Sequence, residues 1–166
     1  MTTIPEEKYG KPNLGNNVRF VDHPNFGSEP YLITIGDDTT ISFDCAFVTH
    51  DGGARVVRNL FNDQRIFIGG PITIGKNCFV GCRCVILPNV TIGDNVIIGA
   101  GSIVNRSIPS NSVAAGVPCK VICTINEYIE KHRKDFLYVE NFKDRPALKE
   151  LLLTAYKEKL PQTVKD

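Results

Sequence analysis

The stretch "IGKNCFVGCRCVILPNVTIGDNVIIGAGSIV", residues 74–104, carries an aliphatic side chain at every sixth position: Ile74, Val80, Ile86, Ile92, Ile98 and Val104. One step towards the N-terminus Ile68 extends the series, and five of the seven residues precede a glycine: Gly69, Gly75, Gly81, Gly93 and Gly99. A second series runs two positions earlier through Ile66, Ile72, Cys78, Cys84, Val90, Val96 and Ser102. Residues two apart lie on the same face of a strand, so both series are expected to point inward. A helix cannot accommodate this pattern. Six steps of about 100° carry successive repeats to different sides, and each interior glycine costs ~1 kcal/mol.

A period of six fits one short strand plus one corner, and three such units close a triangular coil whose neighbours bury one another's aliphatics. The phase continues upstream at Ile35, Ile41 and Phe47, with Ile33, Thr39 and Cys45 two positions before them. The coils therefore begin before residue 33. Phe47 and Ile68 are 21 apart, which is not a multiple of six, so residues between them must loop out. "DGGARVVRNLFNDQR", residues 51–65, opens with two glycines and carries Arg55, Arg58 and Arg65, as a surface excursion would. His50 stands at its root. After Val104, "IPSNSVAAGVPCKVI" is expected to form a last irregular coil.

Helices are expected beyond that point. "TINE" at Thr124–Glu127 is a capping box, and Asp144 with Pro146 opens a run whose Leu148, Leu151, Leu152 and Tyr156 form one apolar stripe. The stripe is expected to pack on the solenoid end or on a neighbouring chain. The organisation read from the chain is a β-solenoid domain over residues 1–123, including an irregular N-terminal segment, followed by a helical extension over 124–166.

With 166 residues, 42% of them hydrophobic, the chain has the size and apolar content of one folded unit. A net charge of +1 gives no sign of a general polyanion binder, so no nucleic-acid partner is expected. The opening "MTTIPEEKYGKPN" has neither the basic start nor the apolar run of a secretion signal. The six cysteines are accordingly expected to be reduced and the protein cytoplasmic. No apolar run approaches the ~20 residues of a membrane span, so membrane insertion is not expected. Cys45, Cys78 and Cys84 occupy the inward small slot and Cys82 a corner, which leaves too few ligands for a tetrahedral zinc site; no metal is expected.

The hexads, "HDGG" at 50–53 before a register break, and "AAGVPCKVI" at 114–122 together resemble the left-handed parallel β-helix acyltransferases of the hexapeptide-repeat type. The resemblance covers residues 30–123 and is nearest the maltose, galactoside and capsule-type sugar O-acetyltransferases. It implies an all-β solenoid, a homotrimer, acetyl-CoA bound in grooves between adjacent β-helices, and one histidine per groove as general base. That histidine is His50. Imidazole, with an unperturbed pKa near 6.5, suits removal of a hydroxyl proton at neutral pH.

Relatives use an acidic residue about one coil upstream to orient the histidine, and the candidates are Asp37 and Glu29. The resemblance also implies CoA contacts at Cys82, Ala100, Asn105, Arg106 and Lys120, the last meeting its phosphates. Cys123 departs from the family pattern, in which a basic residue often stands there. His23, Asp51 and Arg55 are candidates for the acceptor site, whereas His132, within "EKHRKD", reads as a solvated surface residue. The activity implied is transfer of an acetyl group from acetyl-CoA to a hydroxyl of a sugar or polysaccharide precursor. An antibiotic acetyltransferase of the streptogramin or chloramphenicol type, a serine O-acetyltransferase and a non-catalytic β-helix binding module remain alternatives.

Overall fold

The computed structural model describes residues 9–159. The described chain divides into two compact units, one running up to Lys131 and the other starting at His132.

The first unit begins with β1 (Asn13–Leu14) and β2 (Arg19–Phe20), followed by β3 (Ile33–Ile35), β4 (Thr40–Ile41) and β5 (Ala46–Phe47). A helix, α1 (Ala54–Phe61), intervenes before β6 (Ile72–Ile74), β7 (Phe79–Val80) and β8 (Val85–Ile86). Then come β9 (Thr91–Ile92), β10 (Ile97–Ile98), β11 (Ile103–Val104), β12 (Ser112–Gly116) and β13 (Cys119–Thr124). The strands form three sheets, ordered β1-β3-β6-β9, β2-β4-β7-β10-β12-β13 and β5-β8-β11. Every neighbouring pair is parallel except β12–β13. The chain visits the sheets in rotation and returns to each after 18 residues, as in the pairings Thr73↔Thr91, Phe79↔Ile97 and Val85↔Ile103.

Both hexad series face the interior. Ile35, Ile41, Phe47, Ile74, Val80, Ile86, Ile92, Ile98 and Val104 are each at most 1% exposed. Each such side chain contributes about 1.5–3 kcal/mol on burial. The small slot has a second role, because its side chains donate to corner carbonyls of a neighbouring coil. Thr39 Oγ1 donates to Gly75 O at 2.9 Å, Cys45 Sγ to Gly81 O at 3.2 Å, Cys78 Sγ to Gly93 O at 3.1 Å and Cys84 Sγ to Gly99 O at 3.2 Å. Buried thiols and a hydroxyl thus donate to backbone acceptors at the corners, where Gly99 O also accepts from Ser102 Oγ.

The corners explain the glycines. A Cβ on Gly36 would lie 2.7 Å from the carbonyl carbon of Gly75 in the next coil, so only glycine allows the two coils to approach so closely. Asp38, Asn77, Asn89, Asn95 and Asn111 take the left-handed conformation at corners, which their short polar side chains tolerate.

Three expectations need correction. Ile68 is 40% exposed and Ile66 is only partly buried, so the coils resume at Ile72 rather than Ile66. Ile33 pairs with Ile72, 39 positions on instead of 18, so the excursion inserts 21 residues and extends past residue 65. It contains α1 and is therefore not purely loop. The segment after Val104 forms the expected last, irregular coil, with Ile108 pairing in parallel with Ile92 and β12 with β10 at an offset of 16 rather than 18; β12 then turns back into an antiparallel hairpin with β13, with Gly116 at φ 106° and a cis Val117–Pro118 bond at the turn. Finally, the N-terminal segment is not irregular throughout, because β1, β2 and Asn25 build a coil that pairs at Asn13↔Thr34, Arg19↔Thr40 and Asn25↔Ala46.

Helix α2 (Ile125–His132) starts on the expected capping box: Thr124 N donates to Glu127 Oε2 at 2.7 Å and Glu127 N to Thr124 Oγ1 at 3.2 Å. In the second unit, α3 (Arg145–Ala155) is capped by Asp144, whose Oδ1 accepts from Ala147 N at 3.1 Å. Leu148, Leu152 and Tyr156 line an apolar hollow with Phe136, Leu137 and Phe142. No residue of α3 is buried, so the stripe is not a core within the described chain.

Candidate active site

Where the chain leaves the coils, Thr49 is buried and His50 forms an antiparallel bridge with Gly69, which pins both ends of the excursion together. His50 Nδ1 lies 2.7 Å from Glu29 Oε2. The same oxygen accepts from Thr49 Oγ1 at 2.7 Å, and Glu29 Oε1 accepts from Ser28 Oγ at 2.9 Å. The Glu29 side chain is 16% exposed and that of His50 43%, so the carboxylate is largely sheltered while the imidazole reaches solvent.

Burial acts to raise the pKa of Glu29. The hydrogen bonds from His50, Thr49 and Ser28, with the positive charge that His50 can carry, outweigh it and hold the carboxyl below its ordinary value. An ionised carboxylate only accepts, so the proton of neutral His50 sits on Nδ1 and Nε2 presents its lone pair. This is the arrangement of a positioned base.

Register explains why Glu29 occupies this place. Strands of the first coil pair with those of the second at an offset of 21, and Glu29 and His50 are separated by the same 21 positions. Asp37, the other candidate carboxylate, belongs to a different corner. Its Oδ1 accepts from Asn16 N at 2.8 Å and its Oδ2 lies 3.3 Å from Lys76 Nζ, contacts that hold its carboxyl below the usual range.

His50 and Glu29 open into a cavity of about 280 Å³ whose other walls are Asp51, Gly52, Ala54, Arg58 and Phe67. Asp51 Oδ1 accepts from Gly53 N at 2.7 Å, and its carbonyl accepts from Ala54 N, so Asp51 closes the turn that leads into α1. Ala54 and Arg58, one turn apart, share the cavity face of α1. Arg55 is exposed and does not line the cavity, nor does the exposed His23. Arg58 and Phe67 were missed in the sequence. The four-residue spacing from Ala54 to Arg58 was the available signal for the first, but it needed a helix that the two glycines had argued against. Phe67 had no signal of its own; its ring centroid is 6.2 Å from that of His50.

The proposed CoA residues fall on two corners. Cys82 and Ala100 are 18 apart on one corner, where Cys82 O accepts from Gly101 N at 2.8 Å. Ala115 adjoins Gly99 in the next layer and pairs with Lys120 across the hairpin, so Cys82, Ala100 and Lys120 follow one edge. Asn105 and Arg106, both exposed, come directly after β11 in the sheet that holds β5. They therefore lie along the His50 edge, two layers away.

The family model "Bacterial transferase hexapeptide (six repeats)" matches residues 71–106. The chain is 42% identical over 165 residues to protein CapG of Staphylococcus aureus, an alignment that covers 93% of this chain and 91% of that one. It is 46% identical over 104 residues to the galactoside O-acetyltransferase of Escherichia coli strain K12, covering 63% of this chain and 49%, about half, of that protein. Among solved structures, a maltose O-acetyltransferase from Clostridium difficile 630 superposes with a TM-score of 0.54 at 30% identity, over 68% of each chain. With its 18-residue strand register and its hexads, the chain belongs to the hexapeptide-repeat acetyltransferase family.

Proposed function

We propose that this acyltransferase moves an acetyl group from acetyl-CoA to a hydroxyl of a sugar or polysaccharide precursor, with His50 as general base. The observation that carries the reading is the Glu29–His50 contact of 2.7 Å at the mouth of a cavity, with the His50 side chain 43% exposed. In the proposed reaction Nε2 takes the proton of the acceptor hydroxyl as its oxygen attacks the thioester carbonyl. The C–O bond forms, the carbonyl becomes an oxyanion, and its collapse breaks the C–S bond. The imidazolium then returns the proton to the departing thiolate. Glu29 keeps Nδ1 protonated and stabilises the imidazolium while it exists, in the manner of a carboxylate behind a catalytic histidine.

The names of the galactoside and maltose O-acetyltransferases support a sugar acceptor. The donor would be held along the Cys82–Ala100–Lys120 edge of one copy, with Lys120 meeting its phosphates and Arg106, on the His50 edge, reaching them from the neighbouring copy. His50 and that edge lie on different corners of one chain, which supports assembly of a complete site between copies in a homotrimer of left-handed β-helices. No helix among the described residues is long and apolar enough to cross a membrane. The test is release of free thiol from acetyl-CoA over a panel of sugars, serine, and streptogramin and chloramphenicol-type drugs. Sugar-dependent release is expected. Release with serine or a drug but with no sugar would contradict the proposed acceptor.

A further inference from the structure

The cavity holds three groups that carry formal charge besides the histidine, and two of them are already engaged. Glu29 accepts from His50, Thr49 and Ser28. Asp51 accepts from Gly53 N at the start of α1, where the positive end of the helix offsets its charge. Arg58 differs. Its Nε donates to Ile66 O at 2.6 Å, which ties α1 to the returning segment of the excursion and fixes the guanidinium in place. Its two terminal nitrogens meet no carboxylate among the described residues, although the side chain is partly buried and lines the cavity. A guanidinium held by Nε, with a free terminal fork, is preorganised for a planar or tetrahedral oxyanion. Phe67, 56% exposed and across from His50, adds an apolar wall on which a pyranose ring can lie.

We infer that Arg58 is a specificity residue: the acceptor is an anionic sugar, bearing a carboxylate or phosphate that Arg58 binds while Phe67 supports the ring and a hydroxyl meets His50. This rests on the proposed sugar acetyl transfer and names the substrate class within it. The two sources of the anion share one recognition chemistry, so the experiment separates them.

The test compares methyl glucoside, its uronic acid and its 6-phosphate, both for kcat/KM of acetyl transfer and for equilibrium binding measured by calorimetry. Wild type and Arg58→Gln are run side by side, with Arg58→Lys as a variant that keeps the charge without the fork. The quantity read is the ratio of anionic to neutral sugar within each protein, which cancels any general damage to the excursion. Wild type is expected to favour at least one anionic sugar over the neutral one by about 10- to 100-fold, the effect of a charged hydrogen bond. Arg58→Gln should bring the ratio close to one, and Arg58→Lys should retain part of it. Whichever of uronate and phosphate is preferred identifies the source of the anion. A wild-type ratio near one, or a ratio that Arg58→Gln leaves unchanged, would overturn the inference. If none of the three sugars were acetylated while the binding ratio still collapsed in Arg58→Gln, the anion site would stand and the transfer reaction would fall.

Discussion

Replacing Glu29 by Gln keeps the shape of the side chain and an acceptor for His50 Nδ1–H while removing the charge. The structure sets the expected cost. In the resting site the bond at 2.7 Å joins a carboxylate to a neutral imidazole; in the transition state the imidazole becomes a cation and the same bond becomes an ion pair. Two unit charges about 4 Å apart attract by ~4 kcal/mol at an effective dielectric of about 20, which is the upper bound. The lower bound is the difference between charged and neutral hydrogen bonds, ~1 kcal/mol. The His50 side chain is 43% exposed, so solvent screening keeps the effect below the Coulomb figure. About 1.5–3 kcal/mol remains, or a 10- to 100-fold fall in kcat/KM. The assay is acetyl transfer followed by thiol release, repeated in a His50→Ala background. There the Glu29 substitution should do almost nothing further, because two groups that act through one bond are not additive. A Glu29→Gln enzyme within twofold of wild type, or one that loses as much activity without His50 as with it, would refute the reasoning.

Three further outcomes follow from the same geometry. Because its hydrogen bonds hold the Glu29 carboxyl below its ordinary value, the unfolded chain binds the extra proton and the contribution to stability is present above about pH 4.5. It is lost as pH falls through the lowered folded value, so melting temperatures of wild type and Glu29→Gln should differ at neutral pH and converge in acid. Ile74→Ala should cost about 2–5 kcal/mol in urea unfolding, whereas Ile68→Ala, in the same sequence phase but 40% exposed, should stay within roughly 0.5 kcal/mol. Neutralising Lys120 or Arg106 should weaken acetyl-CoA binding about 10- to 100-fold and leave a pantetheine thioester lacking the nucleotide unaffected; equal weakening of both ligands would remove the phosphate contacts.

The hexad made the coil interior legible because burial in a strand repeats strictly: a residue in phase and flanked by coils has nowhere else to point. Phase says nothing, however, about where an insertion ends. Ile66 and Ile68 keep the rhythm exactly six before Ile72 and Ile74 yet lie outside the core, since the excursion rejoins the coils only at Ile72. The first coil was also readable in principle. Leu14, Phe20 and Phe26 are six apart, with Gly15 and Gly27 after the outer two, but aromatic residues and the intervening "NNVR" and "VDHPN" obscured the aliphatic pattern. Choosing between Glu29 and Asp37 required the length of that coil. An offset of 21 carries Glu29 to His50 and Asp37 to Asn16, and no local feature of either carboxylate reveals it. Arg58 stayed hidden for a related reason: in a loop, Arg55 and Arg58 are equivalent, and only a helix places one of them with Ala54.

The most direct measurement of the central claim is the turnover of His50→Ala at saturating acceptor, taken together with its affinity for acetyl-CoA. Loss of the base should lower acetyl transfer by roughly 100-fold or more while acetyl-CoA binds as it does to wild type. Turnover near the wild-type rate, with binding intact, would contradict the assignment of His50 as the general base.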